Sequence, residues 1–131
     1  EMREKQKNVF DNQVAAATPK IEYKMSFFEK NSPAIFLKDS ASGNPTIIVY
    51  SHGETAHIHP SDGSMHMILS PSDAKEVMEK GWGELHGLAG QGRIPIKTYM
   101  MVYAPRDEKE LAITKRILEA AVKYQMTVPK N

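Results

Sequence analysis

Between His57 and Met67 the chain carries three of its five histidines at spacings suited to metal or proton chemistry. His57 and His59 stand two residues apart, and along a strand that spacing sends both side chains to one face. Asp62-Gly63 is a two-residue turn signal. A turn centred there sets Ser61 opposite Ser64, Pro60 opposite Met65 and His59 opposite His66. Directly opposed residues have Cβ atoms about 5 Å apart, so the three imidazoles would cluster. Pro60 has no N–H to give to a ladder. If it widens the connection to a Pro-Ser-Asp-Gly loop, His57 and His59 remain a same-face pair while His66 slides along the partner strand.

Such a cluster admits three chemistries. Imidazole nitrogens bind zinc or another late first-row ion at about 2.0–2.1 Å, which would make His57, His59 and His66 a metal set. A cupin-like site would also want a Glu shortly after the H-x-H, and the position four after His59 is Gly63. An unperturbed pKa near 6.5 equally suits a general base or a substrate contact. The third reading is a set of hydrogen-bonded structural histidines. Glu54, three residues before His57, falls on the opposite face by strict alternation and reads as a turn residue or a support behind the site. His86 follows Trp82 in a glycine-rich stretch, where the pair could form a ligand lid; alternatively Trp82 supplies the apolar contact of a helix C-cap. Tyr99, Met101 and Tyr103 could line a pocket for a flat aromatic ligand or pack a central strand. The run from Gly87 to Arg93 lacks the Lys-Ser/Thr and following helix of a phosphate loop, and no nucleophile elbow points to a hydrolase.

The elements that must position these residues follow from periodicity and punctuation. Residues 1–20 are polar, end at Thr18-Pro19 and read as an N-terminal arm carrying a helical turn or two. Alternation from Ile21 to Phe28 predicts a first strand; Ala34–Leu37 and Thr46–Tyr50 predict a second and a third, separated by a polar loop. Thr55–His59 and Met65–Ser70 form the histidine hairpin. Ser70-Pro71-Ser72-Asp73 predicts a capped helix over about 71–80, stopped by Gly81. Four glycines within Trp82–Pro95 predict a long mobile loop. Thr98–Ala104 reads as a central strand, and Asp107 with Glu110 caps a second helix over about 107–124. The expectation is a single α+β domain, mainly an antiparallel sheet with two principal helices, spanning 21–126 with a tail at 127–131.

Composition narrows the partners. The 131 residues allow one core. A formal charge of +1 without a basic run excludes the footprint of a nucleic-acid binder. No cysteine is present, which removes thiolate sites and is compatible with a reducing, intracellular compartment. No apolar run approaches the roughly 18 residues of a membrane span. The chain opens on Glu1 rather than Met, so upstream sequence is expected.

Four segments together resemble the fungal luciferase domain: Ala56-His-Ile-His59, the Met65-His66 strand, Lys80-Gly-Trp-Gly through His86 to Leu88-Ala-Gly90, and Tyr103-Ala-Pro-Arg106 to Glu110. With a weaker likeness at Ala34–Leu37, the resemblance covers roughly three quarters of the chain. It implies an oxygenase that needs neither flavin nor metal, oxidising a hydroxylated α-pyrone, 3-hydroxyhispidin, with O₂ and releasing CO₂ and light. On that resemblance His57 or His59 is the base, with His66 and His86 orienting the substrate. Trp82, Glu54, Tyr99, Tyr103 and Arg106 complete the expected substrate-binding set. The resemblance also implies that luminous members carry a membrane-associating N-terminal segment and a longer insertion before the H-x-H strand, neither of which this sequence contains; where they have His-Pro, it has His86-Gly87. The rival expectations are a metal-dependent His-cluster enzyme and a non-catalytic small-molecule binding domain.

Overall fold

The structure is a computed structural model that describes residues 1–17, 20–30, 32–39, 42–92 and 94–127. In chain order its elements are α1 (Met2–Ala17), β1 (Ile21–Met25), β2 (Pro33–Leu37), α2 (Pro45–Ser51), β3 (Glu54–Ile58), β4 (Met65–Ile68), α3 (Pro71–Glu79), β5 (Gly83–Leu85), β6 (Tyr99–Val102) and α4 (Glu108–Met126). The strands form one sheet in the order β1-β2-β3-β4-β6-β5, with every neighbouring pair antiparallel. The fold is α+β, as its sequence predicts.

Strand alternation sorts the two faces of the sheet. Ile35, Leu37, Met65, Met67, Met100 and Val102 fall on one side and are buried with Phe10 of α1, Val77 of α3 and Ile117, Leu118 and Ala121 of α4. The intervening positions turn His57, His66, Ile68 and Tyr99 to the other side. There Ile68 and Tyr99 form a smaller core with Ile47 of α2, Ile94 and Ile96. Helices therefore cover one face, and short loops plus α2 cover the face that holds the histidines.

The two expected helices are present with the expected caps. Ser70 Oγ accepts the Asp73 N–H at 3.2 Å, and Asp107 Oδ1 accepts the Glu110 N–H at 2.8 Å; each satisfies an amide the helix itself cannot. Gly81, at φ 75°, closes α3 in the left-handed conformation that glycine adopts without a Cβ penalty. Its N–H bonds Met78 O at 3.2 Å, and the Trp82 N–H bonds Val77 O at 2.9 Å.

Several expectations are corrected. Met2–Ala17 form a sixteen-residue helix rather than a turn or two: α1 buries Phe10 and Gln6, and the Gln6 side chain donates to Gly63 O at 2.7 Å. Thr46–Tyr50 is not a strand but lies in α2, where Pro45 pre-sets the first turn and burial of Ile47 against Ile68 and Tyr99 outweighs the β preference of Ile-Ile-Val. The glycine-rich loop contains β5. A Cβ at Gly83 would stand 2.6 Å from Met101 O, so glycine there lets β5 lie against β6. The hairpin turn is the wide form: His57 pairs with His66 and Ile58 with Met65, while the His59 N–H bonds Ser64 O at 2.7 Å. Pro60 thus sits in a four-residue connection, free of the ladder it cannot join. Thr18-Pro19 and, beyond Thr127, the expected tail lie outside the described residues. No described helix is long and apolar enough to cross a membrane.

Phe10→Ala is expected to lower unfolding stability by about 3–5 kcal/mol, read by urea denaturation. A loss below about 1 kcal/mol, the size of an ordinary exposed substitution, would mean that α1 is an undocked arm after all.

Candidate active site

His66 lies at the centre of a ring of imidazoles. Ring centroids are 4.8 Å from His57, 5.5 Å from His59 and 5.0 Å from His86, with Tyr99 at 5.8 Å. The cross-strand pairing of His57 with His66 sets the first distance, strand alternation brings His59 to the same face, and the segment after β5 delivers His86. His86 also approaches Tyr99 at 5.1 Å. All four histidines singled out in the sequence are therefore gathered, together with Tyr99.

Glu54 stands on the histidine face, against expectation. The β2–β3 register slips from Ile35 opposite Ala56 to Phe36 opposite Glu54, leaving Thr55 as an extra residue. A bulge of this kind reverses the parity of whatever precedes it. Glu54 Oε2 consequently lies 2.7 Å from His57 Nδ1. The carboxylate also accepts from Ser26 Oγ at 2.8 Å, the Phe27 N–H at 2.6 Å and the Phe28 N–H at 3.2 Å. Surrounded by donors, Glu54 is an acceptor, so the assigned tautomer of His57 carries its proton on Nδ1 and its lone pair on Nε2.

Among the described residues that lone pair is buried without a hydrogen-bond partner, as are His66 Nδ1 and the Tyr99 hydroxyl. Buried polar atoms are nearly always satisfied, and three unsatisfied ones in a single cluster mark a place built for something else. Glu29, which sequence reasoning missed, lies over them. Its Oε1 is 3.6 Å from His57 Nε2 and 3.3 Å from His66 Nδ1. The turn after β1 holds it there: the Glu29 N–H bonds Ser26 Oγ at 3.0 Å, and Lys30 follows at φ 64°, a left-handed conformation that costs a non-glycine residue about 1–2 kcal/mol. The Ser26-x-x-Glu29 spacing signals such a turn, but nothing in it reveals the target.

Electrostatics set the cluster apart further. Burial first, and then the neighbouring His57, His86 and His59, pull His66 down to about 3. Burial lowers His86 as well, and its Nδ1 accepts the Leu88 N–H at 3.1 Å, leaving the proton on Nε2. Burial, reinforced by Glu54 and Glu29, raises Tyr99 far above the ordinary phenol value, so it remains a donor. His59 sits at the rim, with Nδ1 2.8 Å from Ser61 Oγ.

Three expected residues fall elsewhere. Trp82 packs against the main core on the helix face, with Lys80 Nζ 5.0 Å from its ring, and its N–H bonds Val77 O at the end of α3. Tyr103 is exposed and donates to Glu84 at 3.1 Å. Arg106 is exposed and bonds Glu110 through Nε at 3.0 Å and Nη2 at 2.6 Å. No ring contact or hydrogen bond links these three to the histidines among the described residues.

The combination is an α+β domain that buries a carboxylate–histidine pair on the loop-covered face of its sheet. Residues 52–121 match the Luciferase domain family, and the chain belongs to it. It is 40% identical over 114 residues to a luciferase of Armillaria gallica, covering 80% of this chain and 43% of that protein. It is 37% identical over 124 residues to a luciferase of Neonothopanus nambi, covering 88% and 46%. The chain thus spans less than half the length of these curated relatives. No solved structure matches it.

His66 is neutral when folded down to pH about 3, whereas in the unfolded chain it binds a proton below about pH 6.5. The unfolded state then holds the extra proton in that window, so stability must fall as pH drops from 6.5 towards 3, by at most about 1.4 kcal/mol per pH unit for one proton. Urea titrations between pH 7 and 4 are expected to show a shallower fall in His66→Gln. An identical slope in both proteins would rule out a depressed His66.

Proposed function

We propose that this domain binds a small planar enolic or phenolic compound of α-pyrone type and oxidises it with O₂, using His57 as general base. The observation that carries the reading is the Glu54–His57 pair, with an unpartnered Nε2 buried inside the cluster. A carboxylate behind an imidazole fixes its tautomer and stabilises the imidazolium formed when the far nitrogen takes a proton. The substrate's enol proton would go to Nε2. The resulting enolate is electron-rich enough to act as the reductant of O₂, so the chemistry can proceed without a bound cofactor. The Tyr99 hydroxyl and the His86 Nε2 proton are donors able to stabilise the enolate oxygen. Membership of the luciferase family supports a light-emitting oxidation; the α-pyrone class is our own proposal, and with 3-hydroxyhispidin such a reaction would release CO₂ and light.

Oxygen uptake and photon emission on adding 3-hydroxyhispidin to metal-stripped protein test this. His57→Ala is expected to lower kcat by about 10²–10⁴-fold, the usual worth of a general base, while Arg106→Ala, far from the cluster, leaves it unchanged. Equal rates for wild type and His57→Ala would remove the base assignment. No uptake above buffer would remove the substrate and favour a domain that binds without turnover.

A further inference from the structure

The same buried atoms have a second use that proton transfer does not explain. A base needs one lone pair, yet two unpartnered ring nitrogens, His57 Nε2 and His66 Nδ1, converge on one carboxylate oxygen. We propose that Glu29, His57 and His66 form a site for a divalent transition-metal ion, and that an ion bound there blocks the base.

Both separations from the Glu29 carboxylate suit a shared ion. With bonds of about 2.0–2.2 Å to histidine nitrogen and carboxylate oxygen, neighbouring ligand atoms at tetrahedral or octahedral angles stand about 3.0–3.5 Å apart. The Glu29–His66 separation of 3.3 Å falls within that range and the Glu29–His57 separation of 3.6 Å at its edge; no pair among the three ligand atoms exceeds 4.8 Å. Two neutral imidazoles and one carboxylate suit zinc, cobalt, nickel or ferrous iron and leave further coordination positions open. Behind His57, Glu54 accepts the Nδ1 proton at 2.7 Å, as carboxylates do behind metal-binding histidines. Access is built in: the Glu29 side chain is 26% exposed, whereas those of His57 and His66 are 0% and 6% exposed, so an ion would meet Glu29 first. His59, the third ligand expected from the sequence, is not among the converging atoms; its Nδ1 is engaged by Ser61.

Blocking follows from electron bookkeeping. The Nε2 lone pair can accept a substrate proton or bond an ion, not both. This consequence rests on the proposed reaction, whereas ion binding does not. Zinc titrated into metal-stripped, tag-free protein without substrate, followed by calorimetry and elemental analysis, is expected to bind at one ion per chain. Cobalt is expected to give the visible bands of a protein-bound ion. Glu29→Gln should weaken zinc at least tenfold and His66→Ala should abolish stoichiometric binding, while Glu84→Gln, on the exposed Tyr103 contact, changes neither. Absent binding, or binding indifferent to Glu29→Gln and His66→Ala, overturns the site. Oxygen uptake is then read with and without zinc: inhibition that weakens in Glu29→Gln supports blocking, and stimulation by zinc overturns it. Should no protein take up oxygen while zinc binds as described, the reaction fails, the blocking claim falls with it and the ion site stands.

Discussion

A carboxylate taken out of water must find donors, and Glu54 is 2% exposed. Its oxygens collect Ser26, Phe27, Phe28 and His57, which pins the turn after β1 onto the start of β3. Its backbone carbonyl accepts the Gln125 side chain at 2.6 Å, which ties in the end of α4. The turn carries Glu29, β3 carries His57, and β4 carries His66 opposite. Removing the charge would therefore strand several donors at once, each costing about 1–3 kcal/mol when buried unsatisfied, and would loosen every element that meets at the cluster. The site and the fold share this anchor.

The legible part of the sequence was the part governed by local rules. Period-two spacing put His57 and His59 on one face, and caps with fixed residue chemistry marked α3 and α4. The H-x-H and its downstream companions also carried the family resemblance. What escaped depended on partners distant in sequence. The bulge at Thr55 is invisible without β2 beside it, so alternation assigned Glu54 to the wrong face. α2 has strand-like residues and becomes helical because Ile47 finds a pocket over Ile68 and Tyr99. Gly83 looked like a loop residue until the backbone of β6 was laid against it. Glu29 is 28 residues from His57 and reaches it only through the turn that Glu54 organises. Trp82, Tyr103 and Arg106 stood out by type and motif, yet their surroundings are a helix end and two surface hydrogen-bond pairs.

The faces of the sheet divide labour in an unequal way. The helix-covered side holds the larger core, built mainly from methionine, isoleucine, leucine and valine. The loop-covered side concentrates the buried imidazoles, where unsatisfied atoms and depressed basicity are tolerated because the opposite face sustains the fold. The apolar core and the imidazole cluster are thereby separated by the thickness of one sheet.

The bond from Gln6 to the carbonyl of Gly63 joins two stretches far apart in the chain. Gly63 lies inside the segment that defines the family, residues 52–121, and Gln6 lies outside it. The turn that spaces His57 from His66 is thus braced by a helix that the family signature does not include. A substitution at Gln6 would therefore alter the grip on the histidine turn while every imidazole and every residue of the family segment stays the same.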